Sequence, residues 1–380
     1  MPPFDLQSLQ NHVSSNLPTL IGHLKELVEQ ESPSEDPAAV NAAMAIAERL
    51  ARSLGGRPRY HRQKQCGNVL ELRFGPRASR LKPILLLAHL DTVWPHGTLA
   101  KMPWKQSPEK IEGPGTLDMK AGVAMALSAI EALESQKISR PITLLLNSEE
   151  EIGSPVSRPI TEKLALASSA VLVLEPAQGL ALKTARKGVG HYVVEVTGVA
   201  AHSGVDFQNG HSAILELARQ IETISAFTDL SRGLTVNCGV ISGGTRSNVI
   251  AAQAQVEVDV RIAKASDARY VERLFRTLKP VDPACKITVT GGINRPPMER
   301  KPGTVALFKQ ARKLAGELGF VLEEASTGGG SDGNFTAALG VPTLDGMGAI
   351  GTGAHAPHEH ILVEHLVPRT TLLAAMLATL

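Results

Sequence analysis

Three apolar runs in the first half of this 380-residue chain each end in side chains able to bind a divalent metal. Ile84-Leu85-Leu86-Leu87-Ala88 runs into His89, with Asp91 two residues on. Ile142-Thr143-Leu144-Leu145-Leu146 passes through Asn147-Ser148 into Glu149-Glu150-Glu151, and Val171-Leu172-Val173-Leu174 stops at Glu175. A short apolar run bounded by polar residues reads as a strand buried on both faces of a covered, mostly parallel sheet. Ligands of such sheets bind beyond the carboxyl ends of the strands. Histidine and carboxylates delivered there are natural ligands of zinc or a similar ion, so the chain reads as a metalloenzyme.

Taken singly, each element also has a plainer reading. His89-Leu90-Asp91 would serve as a surface loop, although a metal-bound histidine does want a carboxylate on its other ring nitrogen. Gly113-Pro114-Gly115-Thr116-Leu117-Asp118-Met119-Lys120 presents Asp118 at a helix entrance, where an N-cap carboxylate is common. Adjacent Glu149, Glu150 and Glu151 repel one another unless cations offset them, but most charge runs are solvated faces. Late in the chain, Gly328, Gly329, Gly330 and Gly333 precede Gly351-Thr352-Gly353-Ala354-His355-Ala356-Pro357-His358-Glu359-His360. Such glycine loops let backbone approach a ligand closely, and three histidines there leave the ligand open. The specific signal is the joint order of these elements.

The elements that must position these residues follow from pattern. The first 55 residues read as two helices, the second capped near Ser34-Glu35-Asp36-Pro37 and ended by Gly55-Gly56. Strands at Asn68 to Phe74, 84–88, 142–147 and 171–175 alternate with helices, one opening just after Asp118, as in an α/β sheet. After about Leu182 the pattern changes. Gln255-Val256-Glu257-Val258-Asp259-Val260-Arg261-Ile262 alternates polar and apolar residues, which suits a sheet with one wet face. Strands at 190–197, 234–241, 254–262 and 286–291, with helices at 210–225 and 266–278, give the β-α-β-β-α-β order of a ferredoxin-like unit. Past Pro296-Pro297 the α/β pattern resumes and ends in an apolar helix near 366–379. The smaller unit, 184–298, is thus inserted into a larger one made of 1–183 and 299–380.

Bulk properties narrow the class. The length suits two domains, and 43% apolar with 20% charged residues excludes a disordered chain. A net charge of +2 gives no electrostatic case for nucleic acid. Arg73, Arg77, Arg80 and Lys82 form a local basic cluster that reads as a solvated loop. Cys66, Cys238 and Cys285 are too scattered for a disulfide framework or a cysteine zinc site. No secretory leader is visible at Met1-Pro2-Pro3-Phe4-Asp5, and no apolar stretch approaches the roughly 20 residues of a membrane span. A cytoplasmic protein is expected, unless a leader has been removed.

The order HLDT, GPGTLDMKAG, NSEEEIGS, LEP and GAHAPHE resembles the M20 family of dinuclear zinc peptidases, and most closely its glutamate carboxypeptidase branch. The similarity spans nearly the whole chain. It implies a zinc-peptidase-like α/β domain with a mixed, mostly parallel sheet, plus an inserted ferredoxin-like α+β lid that mediates homodimerisation. It also implies two zinc ions per subunit, and carboxylate-histidine sites accept cobalt or manganese as well. Asp118 would bridge them; His89 and Glu175 would complete one set, and Glu151 and His355 the other. Glu150 matches the catalytic base and Asp91 the carboxylate behind the first histidine. The Asp118-Met119 peptide would be cis. Met119 and Ala121 depart from the usual pattern but remove no ligand. In the lid, His202 resembles the histidine that reaches into the partner subunit's site. Asn248 matches a substrate-contacting asparagine and Arg295 the clamp on a substrate carboxylate, with Lys187 a further candidate for that pocket.

The activity implied is hydrolysis of an N-acyl or peptidyl amino acid carrying a free carboxylate, releasing the C-terminal amino acid, with glutamate favoured. A broader aminoacylase or dipeptidase is the alternative within the family. A catalytically idle metal- or ligand-binding protein is the alternative outside enzymes.

Overall fold

The computed structural model describes residues 5–380, which form two compact units. The larger comprises the chain up to Ala185, Arg300–Ser326 and Ser331–Leu380; the other comprises Arg186–Glu299 and Thr327–Gly330.

The larger unit is built on a six-stranded sheet ordered Arg57–His61, Val69–Phe74, Ile142–Asn147, Ile84–His89, Ala170–Val173 and Thr343–Leu344. The first two strands join antiparallel, and the last four run parallel. The apolar runs have the cause expected of them. Ile84, Leu86 and Ala88 face a core completed by helices Leu6–Ser15, Pro37–Ser53, Ala121–Ser135, Pro302–Glu317 and Leu366–Thr379. Leu85 and Leu87 point the other way, into a smaller core beside helix Arg158–Ala167. Period-two alternation with both faces covered demands an uninterrupted apolar strand. The helix Ala121–Ser135 is apolar nearly all round because it is sandwiched. Val123, Ala126 and Leu127 meet the sheet core, while Ala121, Ala124 and Met125 meet Leu20, Leu24 and Val28 of helix Leu17–Glu29.

One local expectation needs correction, and one strand was not foreseen. The first 55 residues hold three helices rather than two, because Asn16 and Pro18 divide the first stretch into Leu6–Ser15 and Leu17–Glu29. Proline fits a first turn but not a helix interior. The edge strand Arg57–His61 has no apolar pattern to announce it, since half of its surroundings is solvent. Asp36 does cap its helix, accepting from the N–H groups of Ala38 and Ala39 at 2.9 and 3.1 Å, with Pro37 at the first helical position.

In the inserted unit the strands Gly188–Thr197, Thr235–Gly243, Gln253–Ile262 and Lys286–Arg295 form an antiparallel sheet. In chain order its arrangement is second, third, first, fourth, which is ferredoxin-like. Val194, Val196, Val256, Val258 and Val260 pack under helices Ala213–Ser225 and Ser266–Arg276, where Tyr192 stacks on Phe275 at 4.0 Å between centroids. The opposite face carries His191, Glu195, Gln255, Glu257 and Asp259. No helix among the described residues is long and apolar enough to cross a membrane.

Candidate metal centre

The central strand Ile84–His89 delivers His89 to the carboxyl edge of the sheet, where the ring is 1% exposed. Its Nε2 lies 3.3 Å from Asp118 Oδ1 and 3.7 Å from Glu175 Oε1. Its Nδ1 is 3.0 Å from the Asp91 backbone carbonyl and 3.4 Å from that residue's carboxylate. The carbonyl is therefore the closer acceptor for the ring N–H. The Asp91 carboxylate has further partners: it accepts from Ser34 Oγ at 2.7 Å and from the N–H groups of Glu150 and Glu151, both at 3.1 Å. Asp91 thus orients the histidine and the next strand's glutamates together.

The three adjacent glutamates divide their work. Glu149 is fully buried and accepts from the N–H groups of Val156 and Ser157 at 3.0 and 2.6 Å, holding the approach to helix Arg158–Ala167. Glu150 and Glu151 sit on a single 3₁₀ turn beyond it. Glu151 Oε2 lies 3.1 Å from His355 Nε2, and that nitrogen is 3.3 Å from Asp118 Oδ2. His355 answers which of the late histidines joins the cluster. Its backbone is left-handed, at φ 61°, whereas His360 turns its Nδ1 to the His358 carbonyl at 2.8 Å.

Asp118 stands between both histidines, and its peptide bond to Met119 is cis, as the resemblance implied. Glu175 is placed by close backbone packing. A Cβ on Gly122 would lie 2.3 Å from the Leu174 carbonyl oxygen, and one on Gly348 would lie 2.2 Å from the same atom. Only glycine lets both segments press on the end of this strand.

Glu359 was not singled out by sequence, yet it ties the site's two distant loops together. Fully buried, it accepts from the N–H groups of Leu117, Gly115 and Asp118 at 2.8, 2.9 and 3.0 Å, and from the Trp94 indole at 2.8 Å. The only signal was its place four residues after His355; its partners lie more than 240 positions away along the backbone. Lys120, also buried, donates to the Gln30 carbonyl at 2.8 Å. Burial lowers its pKa to about 7, against the pull of Glu359, Glu31 and Asp91.

Charge in the cluster is unbalanced toward the carboxylates. Burial disfavours a charged His89, but Asp118 and Asp91 outweigh it and hold the ring well above the usual histidine value. Asp118 and Glu151 push His355 up to about 10. Burial alone would raise Asp118, yet the two imidazoles keep it far below the ordinary carboxylate range. Glu151 goes the other way, raised by burial and by the Asp118 charge. Its Oε1 is buried without a hydrogen-bond donor among the described residues. A buried acceptor left unpaired is costly, and a cation would satisfy it.

The donor set fits a divalent metal. His89, Asp118 and Glu151 offer ligand atoms within 4.8 Å of one another, and so do His89, Glu150 and Glu175. Mixed imidazole and carboxylate donors suit zinc, cobalt or manganese.

The candidates in the inserted unit fall into two separate pairs. His202 is exposed, and its Nδ1 accepts from the N–H groups of Gly204 and Val205 at 3.1 and 3.2 Å. The ring proton therefore sits on Nε2, which is left to donate. Asn248 lies on the neighbouring loop, its carbonyl accepting from Ser203 N–H at 3.1 Å. Arg295, 5% exposed, is at the other end of the same sheet, opposite Val189, with Lys187 just before that strand. A Cβ on Gly330 would come within 3.0 Å of Arg295 Cδ. One ten-residue strand, on the order of 30 Å long, separates the two pairs.

Histidines gathered with an excess of carboxylates at the edge of a covered sheet are the ligand set of a metal-dependent enzyme. The chain belongs to peptidase family M20/M25/M40, whose model matches residues 85–379. It is 30% identical over 371 residues to carboxypeptidase G2 of Pseudomonas sp. strain RS-16, covering 95% of this chain and 88% of that protein. Its fold is similar to a tripeptidase of Staphylococcus aureus, with a TM-score of 0.81 at 20% identity over 96% of this chain and 98% of that one. It is also similar to aminopeptidase PepT of Bacillus cereus, with a TM-score of 0.75 at 21% identity and the same coverages.

Proposed function

We propose that this peptidase uses two divalent ions, zinc in the first instance, to remove a C-terminal amino acid from an N-acyl or peptidyl substrate. Asp118 would be shared between the ions, with His89 and Glu175 on one and Glu151 and His355 on the other. Bound there, such ions polarise a carbonyl and make water acidic enough to attack at neutral pH. Glu150 takes the proton of the attacking water and returns it to the departing amine. The single observation that supports this reading is the gathering of His89, Asp118 and Glu151 ligand atoms within 4.8 Å of one another, with a Glu150 carboxylate oxygen equally close to His89 and Glu175. Asp91 keeps the His89 ring oriented, and its hold on the Glu150 N–H fixes the base relative to that ring.

Arg295 suits a substrate carboxylate because its planar fork binds both oxygens at once, with Lys187 adding charge nearby. His202, donating through Nε2, stabilises the oxyanion formed at the scissile carbonyl, and Asn248 assists in holding the substrate. An amino-acid substrate is far shorter than the strand separating Arg295 from His202. That separation supports a shared site in which His202 and Asn248 come from a second copy of the chain. The edge strand Thr235–Gly243, with Val240 57% and Ile241 61% exposed, supports the inserted unit as the dimer contact. Likeness to carboxypeptidase G2 favours glutamate as the released residue.

The test is mass-spectrometric detection of amino acids released from a mixed panel of N-acyl amino acids by zinc-reconstituted protein. Selective release of glutamate is expected. Release of leucine or alanine instead would make the enzyme an aminoacylase, and no release from fully metal-loaded protein would contradict hydrolysis. Mixing His202→Ala protein with Glu150→Gln protein under exchanging conditions should restore part of the activity. Absence of any complementation would contradict the shared site.

A further inference from the structure

The basic cluster around Arg73 is not only a loop. Arg57 and Arg73 are directly opposite one another on adjacent antiparallel strands, and Arg59 follows on the same face opposite Glu71. Like charges across an antiparallel pair are destabilising unless something neutralises them. Glu71 is engaged by Arg73 and by His61, whose Nε2 lies 2.9 Å from it. Arg57 donates to the Gly75 carbonyl at 3.1 Å, and Arg59 and Arg77 make no ion pair among the described residues. These four arginines line one cavity of about 690 Å³ together with Thr143, Ser79 and Ser168, and no carboxylate is in its lining. The remaining wall is apolar, with Phe74, Leu81 and Leu164. Behind Pro141 of the wall, Arg140 is 4% exposed and donates to Ser169 Oγ at 3.2 Å, while its Nε and Nη1 find no acceptor.

The cavity sits where the parallel strands begin, beside Pro83 and Pro141, at the opposite edge of the sheet from His89 and Asn147. Its volume is that of a small-molecule pocket. Arginine forks match phosphate oxygens in pairs, and an apolar wall suits the organic part of an ester. We propose that this cavity is an anion site for a phosphate-bearing small molecule, held by Arg57, Arg59, Arg73 and Arg77 and remote from the metal centre.

The experiment is calorimetric titration of the metal-loaded enzyme with inorganic pyrophosphate, and separately with adenosine diphosphate, at about 0.15 M salt, where exposed charges more than about 8 Å apart are largely screened. Binding is expected, and the double variant Arg57→Gln/Arg73→Gln should weaken it at least ten-fold while peptidase turnover stays unchanged. Tighter binding of adenosine diphosphate would assign the site to an ester, and tighter binding of pyrophosphate to the bare anion; either supports the proposal if the variant loses it. Unchanged affinity in the double variant, with inhibition of turnover, would place the anion on the metals and overturn the proposal. Failure of both probes to bind at that salt would overturn it as well. In a second variant, Arg57→Glu, pyrophosphate should no longer raise the melting temperature of the protein. A pyrophosphate-induced rise equal to that of the unaltered protein would contradict the site.

Discussion

The six-stranded sheet of the larger unit is covered on both faces, whereas the four-stranded sheet of the inserted unit leaves one face wet. The difference decides where chemistry can sit. A strand buried on both sides admits few polar side chains along its length, so His89, Glu150, Glu151 and Glu175 are pushed to one edge and meet there. A one-sided sheet tolerates polar residues along every strand, so its candidates disperse to both ends, His202 and Asn248 at one and Arg295 at the other. The larger unit concentrates charge to hold a cation. The inserted unit leaves its polar candidates spread between the two ends of its sheet.

Substitutions can break this contrast. Asp118→Asn should empty at least one metal position and take turnover to background, measured by elemental analysis beside an activity assay. His202→Ala should lower kcat by about 10²–10³ with metal content unchanged, as loss of one oxyanion donor does. Metal lost from His202→Ala, or retained in full by Asp118→Asn, would erase the division of labour between the units. Glu359→Gln should weaken metal binding about 10–100-fold, the effect typical of groups that orient ligands, because an amide cannot accept all four N–H donors. Chelator competition would measure it.

A smaller effect sharpens the account of the inserted unit. Glu216 is buried there, and although burial opposes its charge, the N–H groups of Asp282 and Val281 outweigh it and hold its pKa below the usual value. Its contribution is whole above the unfolded-state pKa near about 4.3 and is lost as pH falls through the lower folded value. Glu216→Gln should cost about 1–3 kcal/mol at neutral pH and flatten the acid side of the stability profile, followed by thermal melts from about pH 3 to 7.

The two sheets were also unequally legible in sequence, though both were found. Buried runs ending in His89, Glu150 and Glu175 announced the first, and the alternation from Gln255 to Ile262 announced the second. What sequence hid was tertiary. Arg57–His61 is half solvated and polar, so no periodicity marks it. Glu149 and Glu150 are chemically identical neighbours, and only the fold turns one onto the N–H groups of Val156 and Ser157. The choice of His355 among three histidines depends on a left-handed backbone that its residue type does not signal. Glu359 serves N–H groups from a distant part of the chain, and no local pattern reports such a contact.

The central claim is that Glu150 is the base of a metal-loaded hydrolase, and Glu150→Gln tests it most directly. Metal stoichiometry and turnover of an N-acyl glutamate should be measured on the same folded sample. The account predicts metal content equal to that of the unaltered enzyme and a fall in turnover of about 10²–10⁴, the contribution of a general base. Turnover at the unaltered rate with metal retained would contradict it.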